Sequence, residues 1–191
     1  MYRALKLARL APGDWVAITG AGGGLGHLGV QFAKAMSYKV IAIDSGPEKQ
    51  AVCQRFGADY FIDFNTTADV VREVTATTGG GADTVIASAA TKSSYIQATS
   101  MVATGGSLLC IGLPPEKFDL PISIADCIGR SCHIIGVNAG SLRETEEALE
   151  YAAQHNIQVL TQVFPMAEAE EVFRLVAAGK VVGRAVLDLE A

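Results

Sequence analysis

The chain has 191 residues, of which 50% are hydrophobic and 18% are charged, and its formal net charge at pH 7 is −5. This length suits one domain of ordinary size with a sizeable core, and an acidic chain without a basic cluster is not expected to bind nucleic acid. No apolar run approaches the roughly 18 residues of a membrane span, and the N-terminus lacks the apolar region of a secretory signal, so we expect a cytoplasmic protein with no membrane partner.

The charged fraction is low, since about 25% is typical of soluble proteins. Two explanations fit this composition. Either the chain forms a sheet that is buried on both faces, or an apolar surface of the domain is normally covered by something else.

Candidate metal ligands are few and scattered along the chain. No C-x-x-C pair is present, the cysteines stand in apolar or helical surroundings, and the histidines lack metal-ligand spacing. We therefore expect buried free thiols and no zinc site. The residues concerned are Cys53, Cys110, Cys127 and Cys132, and His27, His133 and His155.

The first distinctive stretch is a glycine turn. The mostly apolar residues 15–19 predict a strand, and apolar residues at helical spacing after Gly26 predict a helix to about residue 36. The literal pattern G-x-G-x-x-G fails in every register, whereas Gly20-x-x-Gly23-x-x-Gly26 fits. Such a turn brings backbone N–H groups and the positive end of the helix dipole close to a phosphate. We predict a pyrophosphate site here, with an ordinary strand-to-helix turn as the alternative.

A second predicted strand, residues 39–44, is an apolar run closed by Asp44. The acid stands close to the place, roughly 20 residues after the glycines, where a dinucleotide-binding unit has its ribose-binding carboxylate. A carboxylate there accepts the ribose hydroxyls and repels a 2′-phosphate, which favours NAD over NADP. The alternative is a solvated Asp at the end of a strand.

The remaining chain continues the alternation of strands and helices. Leu residues at three-residue spacing predict a first helix over 2–10, glycines predict a connector at 79–83 and a turn at 105–106, and 118–129 is irregular and partly helical. The acids of the helix at 142–155 are interpreted as a solvated face rather than a metal site. Further strands are predicted at 60–64, 84–88, 107–112 and 133–137, and further helices at 47–56, 68–77, 93–102 and 142–155.

This order predicts an α/β fold, a doubly wound six-stranded parallel sheet of the Rossmann type over residues 1–158. The ends of four strands, at Gly20, Asp44, Ser88 and Gly112, should gather at one edge, where the ligand of such a sheet binds.

Residues 159–191 are predicted to be a short appendage of the same domain, with strands at 159–164 and 184–188 and a helix at 167–178. Its loop at 179–183 presents Lys180 and Arg184. Either cation could reach a phosphate, and an exposed cation without a specific partner is the alternative.

Several stretches together resemble the medium-chain, zinc-type alcohol dehydrogenase family, especially its fungal NAD-dependent members. The resemblance spans nearly the whole chain in the family's order. The matching stretches are residues 2–6, 11–18, 23–26, 31–36, 43–44, 61–64, 147–149 and 183–184.

The resemblance implies a role for each matching residue of the cofactor cleft, and it implies a homodimer formed through the edge of the sixth strand. It places Gly20, Ala21, Gly23, Gly24, Leu25 and Gly26 in the pyrophosphate turn, Asp44 and Lys49 at the adenosine ribose, Ser88, Ala89, Ile111 and Gly112 beside the adenine or nicotinamide, and Arg184 near the pyrophosphate.

Full members of the family also carry a preceding GroES-like substrate domain, which holds the zinc ligands and the proton relay. This sequence begins just after the place of the last catalytic zinc cysteine, so we expect that domain to be absent and assign no catalytic residue.

Three functions follow as hypotheses. The first is a nicotinamide-dinucleotide-binding domain that is a zinc-independent oxidoreductase at most. The second is a non-redox biosynthetic enzyme, an isomerase or cyclase, that holds its small-molecule substrate in the old cleft and uses Asp44, Tyr95, His27 or Ser88 as acid–base groups. In this reading a surface position for His27 is the alternative to a catalytic one. The third is a non-catalytic binding protein.

Overall fold

A computed structural model describes residues 1–190 of the chain, and within them the strands and helices alternate. The strands are β1 Trp15–Thr19, β2 Lys39–Asp44, β3 Tyr60–Asp63, β4 Ala82–Ala87, β5 Val102–Cys110, β6 His133–Gly136, β7 Thr161–Pro165 and β8 Arg184–Asp188. The helices are α1 Tyr2–Ala8, α2 Gly26–Ala35, α3 Pro47–Arg55, α4 Val70–Thr78, α5 Lys92–Met101, α6 Ile124–Arg130, α7 Leu142–Gln154 and α8 Ala169–Ala177, with a 3₁₀ turn at Met166–Glu168 before α8.

The main sheet is parallel and six-stranded, in the order β3-β2-β1-β4-β5-β6. The predicted doubly wound Rossmann fold is therefore confirmed. The order of the strands reverses between β1 and β4, which makes the carboxyl ends of these two strands the place where a doubly wound sheet binds its ligand.

Apolar side chains are buried on both faces of this sheet, because alternate residues of a strand point to opposite faces. Ile18 of β1 packs on one face with residues of α1 and α2, whereas its neighbour Ala17 packs on the other face with residues of α4 and α5. This double burial accounts for much of the low charged fraction. Exposed apolar side chains on α6, β7 and α8 account for more of it, among them Ile128, Val163 and Phe173.

The largest difference from the predicted elements lies at β5. The glycines predicted as a turn, Gly105 and Gly106, lie inside this strand, which begins at Val102. The pairing of β5 with β4 shifts register between Ala82 and Thr84, so the strand is irregular where the glycines stand. Glycine within a strand is typical of such an irregularity, and the pattern alone does not separate it from a turn.

Other boundaries differ by a few residues. The segment predicted as irregular and partly helical holds α6, whose start is fixed by a reciprocal pair of hydrogen bonds between Ser123 and Asp126. Strand β7 begins at Thr161, two positions after the predicted 159. The last strand, β8, spans the predicted residues.

Strands β7 and β8 pair in parallel as a separate two-stranded sheet. The turn that precedes β8 returns to the glycine turn, since the N–H of Gly183 donates to the carbonyl of Gly22 at 2.9 Å. The appendage thus closes on the end of β1 rather than extending away from the domain.

The hydroxyl of Thr84 is buried in β4 without a hydrogen-bond partner among residues 1–190. Replacing it by a methyl group in Thr84→Val removes a desolvated polar atom, so we expect the free energy of unfolding to rise by about 1 kcal/mol. Thr99→Val is the matched control, because Thr99 is also buried but its hydroxyl donates to Ile96 O at 2.8 Å. Urea unfolding of both variants checks the prediction. The free energy of unfolding should rise in Thr84→Val and fall in Thr99→Val, and changes of the same sign would contradict the prediction.

Within the described residues, the helices are all too short or too polar to cross a lipid bilayer.

Candidate nucleotide-binding site

The glycine turn joins β1 to α2 and depends on two of its glycines. Gly20 adopts a left-handed conformation with φ of 68°, and its N–H donates to Ile43 O of the neighbouring strand at 2.8 Å. A Cβ added to Gly26 would lie 2.1 Å from Gly20 O and 2.5 Å from the Cα of Ala21. Only a residue without a side chain therefore lets the first turn of α2 approach the end of β1 this closely.

The turn leaves backbone donors free at the N-terminus of α2. Among residues 1–190, none accepts a hydrogen bond from the N–H groups of Leu25 or Gly26, whereas the N–H of Gly24 lies in the isolated parallel β-bridge between Gly23 and Gly183. The two free donors and the positive end of the helix dipole stabilise an anion at the same point. The local structure is thus complementary to a phosphate group.

The turn opens into a cleft of about 720 Å³ at the carboxyl ends of β1, β2 and β4. Ten of the thirteen predicted cofactor-binding residues line it. They are Gly20, Gly23, Gly24, Leu25, Gly26, Asp44, Lys49, Ser88, Ala89 and Arg184.

The other three predicted residues lie behind the cleft wall. Ala21 is fully buried in the core, and Ile111 packs against the same core cluster. Gly112 lies against the backbone of the cleft-lining residues, because a Cβ added to it would be 2.8 Å from Ser88 O. These three residues support the wall of the cleft and do not line it.

Part of the cleft wall comes from residues that the sequence analysis missed. The end of α8 and the loop after it cover one side, and they contribute mainly small and apolar residues whose types carry no nucleotide signal. A detectable hint is Gly183, whose positive φ of 69° and close approach to Leu160 require a glycine. The missed lining residues are Ser45, Phe64, Ala90, Thr91, Val176, Ala177, Ala178, Gly179, Val181, Gly183 and Ala185.

Asp44 is held at the end of β2 by several donors. The N–H of Gly22 donates to Oδ2 at 2.8 Å and the N–H of Ser45 donates to Oδ1 at 2.9 Å, and the side chain of Asp44 is almost fully buried. Lys49 Nζ lies 2.8 Å from Oδ1 and also donates to Gly179 O at 2.8 Å. A carboxylate has about four acceptor positions, of which these contacts use three. The acid is therefore fixed in place as a hydrogen-bond acceptor at the cleft.

Arg184 lies over the glycine turn at the start of β8. Its Cζ would be 3.8 Å from a Cβ built on Gly24, and its guanidinium forms no ion pair within residues 1–190. The other candidate cation, Lys180, is exposed and does not line the cleft. Of the two, Arg184 is the one placed to meet a phosphate at the turn.

His27 is fully buried beneath the turn and does not line the cleft. Its Nδ1 lies 2.8 Å from Gly23 O, and its Nε2 lies 3.1 Å from the N–H of Leu160. Because a carbonyl can only accept and an N–H can only donate, the proton of the neutral ring is on Nδ1. The alternative of a surface histidine is wrong, and the ring has no access to a substrate in the cleft.

The pKa of His27 is lowered by burial, and the nearby charge of Arg184 lowers it further, against the opposite effect of the bond to Gly23. The unfolded chain therefore binds more protons than the folded chain below about pH 6.5. We expect the free energy of unfolding to decrease as the pH falls from about 6.5 towards the lowered pKa, with no contribution from His27 above that range.

Chemical unfolding at pH 7.5 and pH 5.5 tests this expectation. The wild-type chain should lose more stability between these conditions than the His27→Gln variant, in which the titrating ring is gone. His133→Gln is the matched control, because His133 is exposed, and it should behave as the wild type does. An equal loss in wild type and His27→Gln would contradict the prediction.

Two other candidate acid–base groups are engaged by backbone carbonyls. Ser88 Oγ donates to Thr19 O at 2.5 Å while lining the cleft. Tyr95 is buried, and its hydroxyl donates to Gly112 O at 2.5 Å. Burial, with a smaller effect of Cys110, raises the pKa of Tyr95 to about 12. Tyr95 is therefore a structural residue at neutral pH, and no observation favours the non-redox enzyme.

Within residues 1–190, no three His, Cys, Asp or Glu side chains come together as a metal-binding group. The four cysteines are free thiols. Only Cys53 is buried as expected, and burial raises its pKa to about 12. The other three are half-buried: Cys110 ends β5, Cys127 lies in α6, which has no buried residue, and Cys132 stands between α6 and β6.

A second cavity, of about 390 Å³, lies near the ends of α2, α3 and α7. Its cations already have partners in the chain: Lys34 lies 2.7 Å from Asp59, and Arg55 donates to Gln158 at 3.2 Å. The helices also present their negative C-terminal ends to this cavity. The cleft at the glycine turn is therefore the better candidate for an anionic ligand.

Comparison with known proteins agrees with this geometry. A sequence model described as zinc-binding dehydrogenase matches residues 24–154. The chain belongs to the zinc-binding dehydrogenase family. It is 38% identical over 188 residues to an alcohol dehydrogenase of Schizosaccharomyces pombe and 40% identical over 191 residues to alcohol dehydrogenase 1 of Neurospora crassa, in each case over 98% of this chain. The predicted resemblance to fungal alcohol dehydrogenases is confirmed.

Solved structures of this zinc-binding dehydrogenase fold superpose closely on the chain. The alcohol dehydrogenase of Aeropyrum pernix gives a TM-score of 0.89 at 31% identity and covers 97% of this chain. A quinone oxidoreductase of Thermus thermophilus, solved also in complex with NADPH, gives 0.81 at 31% identity and covers 98%.

The chain spans about half the length of these relatives: 53% and 54% of the fungal proteins, and 54% and 62% of the two solved chains. The shared part is the alcohol dehydrogenase-like nucleotide-binding domain.

Proposed function

We propose that the cleft binds a nicotinamide dinucleotide, with the pyrophosphate at the N-terminus of α2. The observation that carries this proposal is the pair of free N–H groups at Leu25 and Gly26, which lie at the mouth of a cleft that Asp44 and Arg184 also line. The free donors and Arg184 match the pyrophosphate charge, and Asp44 matches the ribose hydroxyls. The fit of these groups to one ligand supports a dinucleotide over an isolated phosphate.

NAD is the proposed cofactor rather than NADP. The buried carboxylate of Asp44 is fixed by Gly22 and Ser45, so it cannot easily turn away from a 2′-phosphate. A phosphate beside this carboxylate is disfavoured because the two negative charges repel, and the ammonium of Lys49 offsets only part of that repulsion while it is paired with Asp44. One similar protein was solved with NADPH, so the choice of NAD rests on this chain's own residues.

The proposed reaction class is hydride transfer that is independent of zinc. A bound nicotinamide supplies or accepts the hydride, and the residues of this chain hold it in the cleft. Such a transfer needs the donor and acceptor carbons to be held about 3 to 3.5 Å apart, which is a task of binding and orientation.

Calorimetric titration with NADH and with NADPH tests the cofactor proposal. NADH is expected to bind and NADPH to bind more weakly. Arg184→Gln should weaken the binding of both cofactors. Lys180→Gln, which removes an exposed cation outside the cleft, should leave the binding of both unchanged. Binding of neither cofactor at millimolar concentration would overturn the proposal. Turnover of a quinone or enone with NADH in the presence of a zinc chelator then tests the reaction class.

A homodimer formed through the edge of β6 is also proposed. This strand pairs only with β5 within the described residues, and a free edge can pair with a second copy. Apolar side chains lie exposed beside it, with Ile134 40% exposed and Ile128 of α6 73% exposed. Sedimentation velocity should give a dimer for the wild type and a monomer for Ile134→Lys, and a wild-type monomer at all concentrations would contradict the proposal.

A further inference from the structure

His27 lies between the two parts of the chain that meet at the cleft. On one side its Nδ1–H donates to Gly23 O of the glycine turn at 2.8 Å. On the other side its Nε2 accepts from the N–H of Leu160, which precedes β7, at 3.1 Å. A single buried ring therefore joins the turn to the appendage.

The connection continues from Leu160 to Arg184. The carbonyl of Leu160 accepts from the N–H of Arg184 at 2.9 Å, so His27, Leu160 and Arg184 form a continuous chain of hydrogen bonds. Arg184 is the cation that lies over Gly24, within the same glycine turn. The chain of bonds thus starts at the turn and ends at the residue whose side chain lies over it.

A second set of contacts holds the appendage in the same position. The side chain of Gln31, one helical turn after His27, donates to the backbone carbonyl of Gln158 and accepts from its N–H, each at 2.8 Å, and Gln158 is the residue directly before the appendage. Gly183 N–H donates to Gly22 O at 2.9 Å. The appendage is therefore attached to the turn and to α2 through buried or backbone groups.

From this geometry we infer that His27 is a positioning residue of the dinucleotide site, which holds Arg184 over the pyrophosphate turn. The inference rests on the proposed function, because it assigns Arg184 to the pyrophosphate. The backbone of Leu160 carries the effect: its N–H is fixed by the ring, and its C=O fixes the first residue of β8.

The chemistry of the neutral imidazole suits this role. The site needs a donor towards the carbonyl of Gly23 and an acceptor towards the N–H of Leu160, in one rigid group. A lysine or arginine could only donate, and an imidazolium would donate on both sides and face the N–H of Leu160 with another N–H. A phenylalanine would fill the same space but would leave the N–H of Leu160 without a partner, while Gly23 O would keep only the backbone N–H of residue 27, at 3.1 Å.

A double-mutant cycle with NADH as the probe tests the inference. His27→Phe and Arg184→Gln are each expected to raise the dissociation constant about tenfold, and the double variant about tenfold rather than about a hundredfold. Adenosine, which has no phosphate for Arg184 to meet, should bind the wild type and His27→Phe equally. His155→Phe, a change at an exposed histidine, is the matched control and should leave NADH binding unchanged.

The inference would be overturned if the losses of NADH affinity in the two single variants were additive in the double variant. It would also be overturned if His27→Phe weakened adenosine binding as much as NADH binding, because a merely structural role predicts both results. His27→Gln is the second variant in case His27→Phe does not fold, since its amide can replace one of the two bonds. It is expected to weaken NADH binding about threefold, again only when Arg184 is present.

Amide hydrogen exchange separates a failure of the inference from a failure of the proposed function. Without any nucleotide, exchange at the N–H groups of Leu160 and Arg184 should be faster in His27→Phe than in the wild type, with no change at β2. If the wild type bound no NADH but exchange at Leu160 and Arg184 was still faster in His27→Phe, the proposed dinucleotide function would fail and the connection from His27 to Arg184 would stand. Unchanged exchange would overturn the connection itself.

Discussion

Asp44→Asn is expected to abolish most of the preference of the chain for NADH over NADPH. The amide keeps one of the two acceptor oxygens that Gly22 and Ser45 use, and it removes the negative charge that repels a 2′-phosphate. The ammonium of Lys49, which lies 2.8 Å from Asp44 in the wild type, would then be free to pair with that phosphate. We expect the ratio of the two dissociation constants to fall from about a hundredfold or more to within about tenfold, because like-charge repulsion of at least about 1.4 kcal/mol is removed.

The ratio of the two dissociation constants is the informative measurement, because a general loss of stability would weaken the binding of NADH and NADPH equally. Asp63→Asn is the matched control. Asp63 ends the neighbouring strand β3, pairs in register with Asp44, and accepts from the N–H of Gly46 at 2.9 Å, but it does not line the cleft. The control should keep the wild-type ratio. An Asp44→Asn variant with an unchanged ratio would show that discrimination lies elsewhere in the cleft.

Gly26→Ala is expected to destabilise the fold by about 3 kcal/mol or more and to abolish NADH binding. The added methyl group would overlap Gly20 O and the Cα of Ala21, which are backbone atoms that can move only if the turn itself moves. The free N–H groups at the start of α2 would then lose their common direction.

Gly129→Ala is the matched control for this variant. Gly129 is also a helical glycine, in α6, and a Cβ added there meets nothing within 4 Å. Alanine should stabilise that helix by about 0.5 to 1 kcal/mol without affecting NADH binding. Thermal unfolding and NADH titration of both variants check the prediction. A Gly26→Ala variant that bound NADH as the wild type does would contradict the role given to the turn.

Strands whose pattern is unambiguous were predicted with correct boundaries. β2 is an apolar run buried on nearly every residue and closed by Asp44, and its predicted and observed limits agree. β5 was predicted too short, because two glycines in its first half are compatible both with a turn and with an irregular strand. Local pattern alone cannot choose between these, since the choice depends on how the strand pairs with β4.

The residue types of the site were informative where they carry a distinct chemistry. Glycines before a helix and an acid at a strand end indicate the cleft that Gly20 and Asp44 line, and the family resemblance adds Arg184, which the residue pattern leaves equivalent to Lys180. The wall formed by Ala177, Ala178 and their neighbours was missed, because small apolar residues bind a nucleotide only through the position that the rest of the fold gives them.

The sequence by itself determined the doubly wound sheet and the glycine turn, because periodicity and glycine spacing express local backbone preferences that survive in almost any context. Only the tertiary structure decided the place of His27, which sequence reasoning put at the surface or in catalysis. Its two partners, Gly23 and Leu160, are separated by most of the chain and meet only when the appendage closes on α2. A hydrogen bond between distant segments leaves no periodic signal, so its existence depends on the packing of the whole domain.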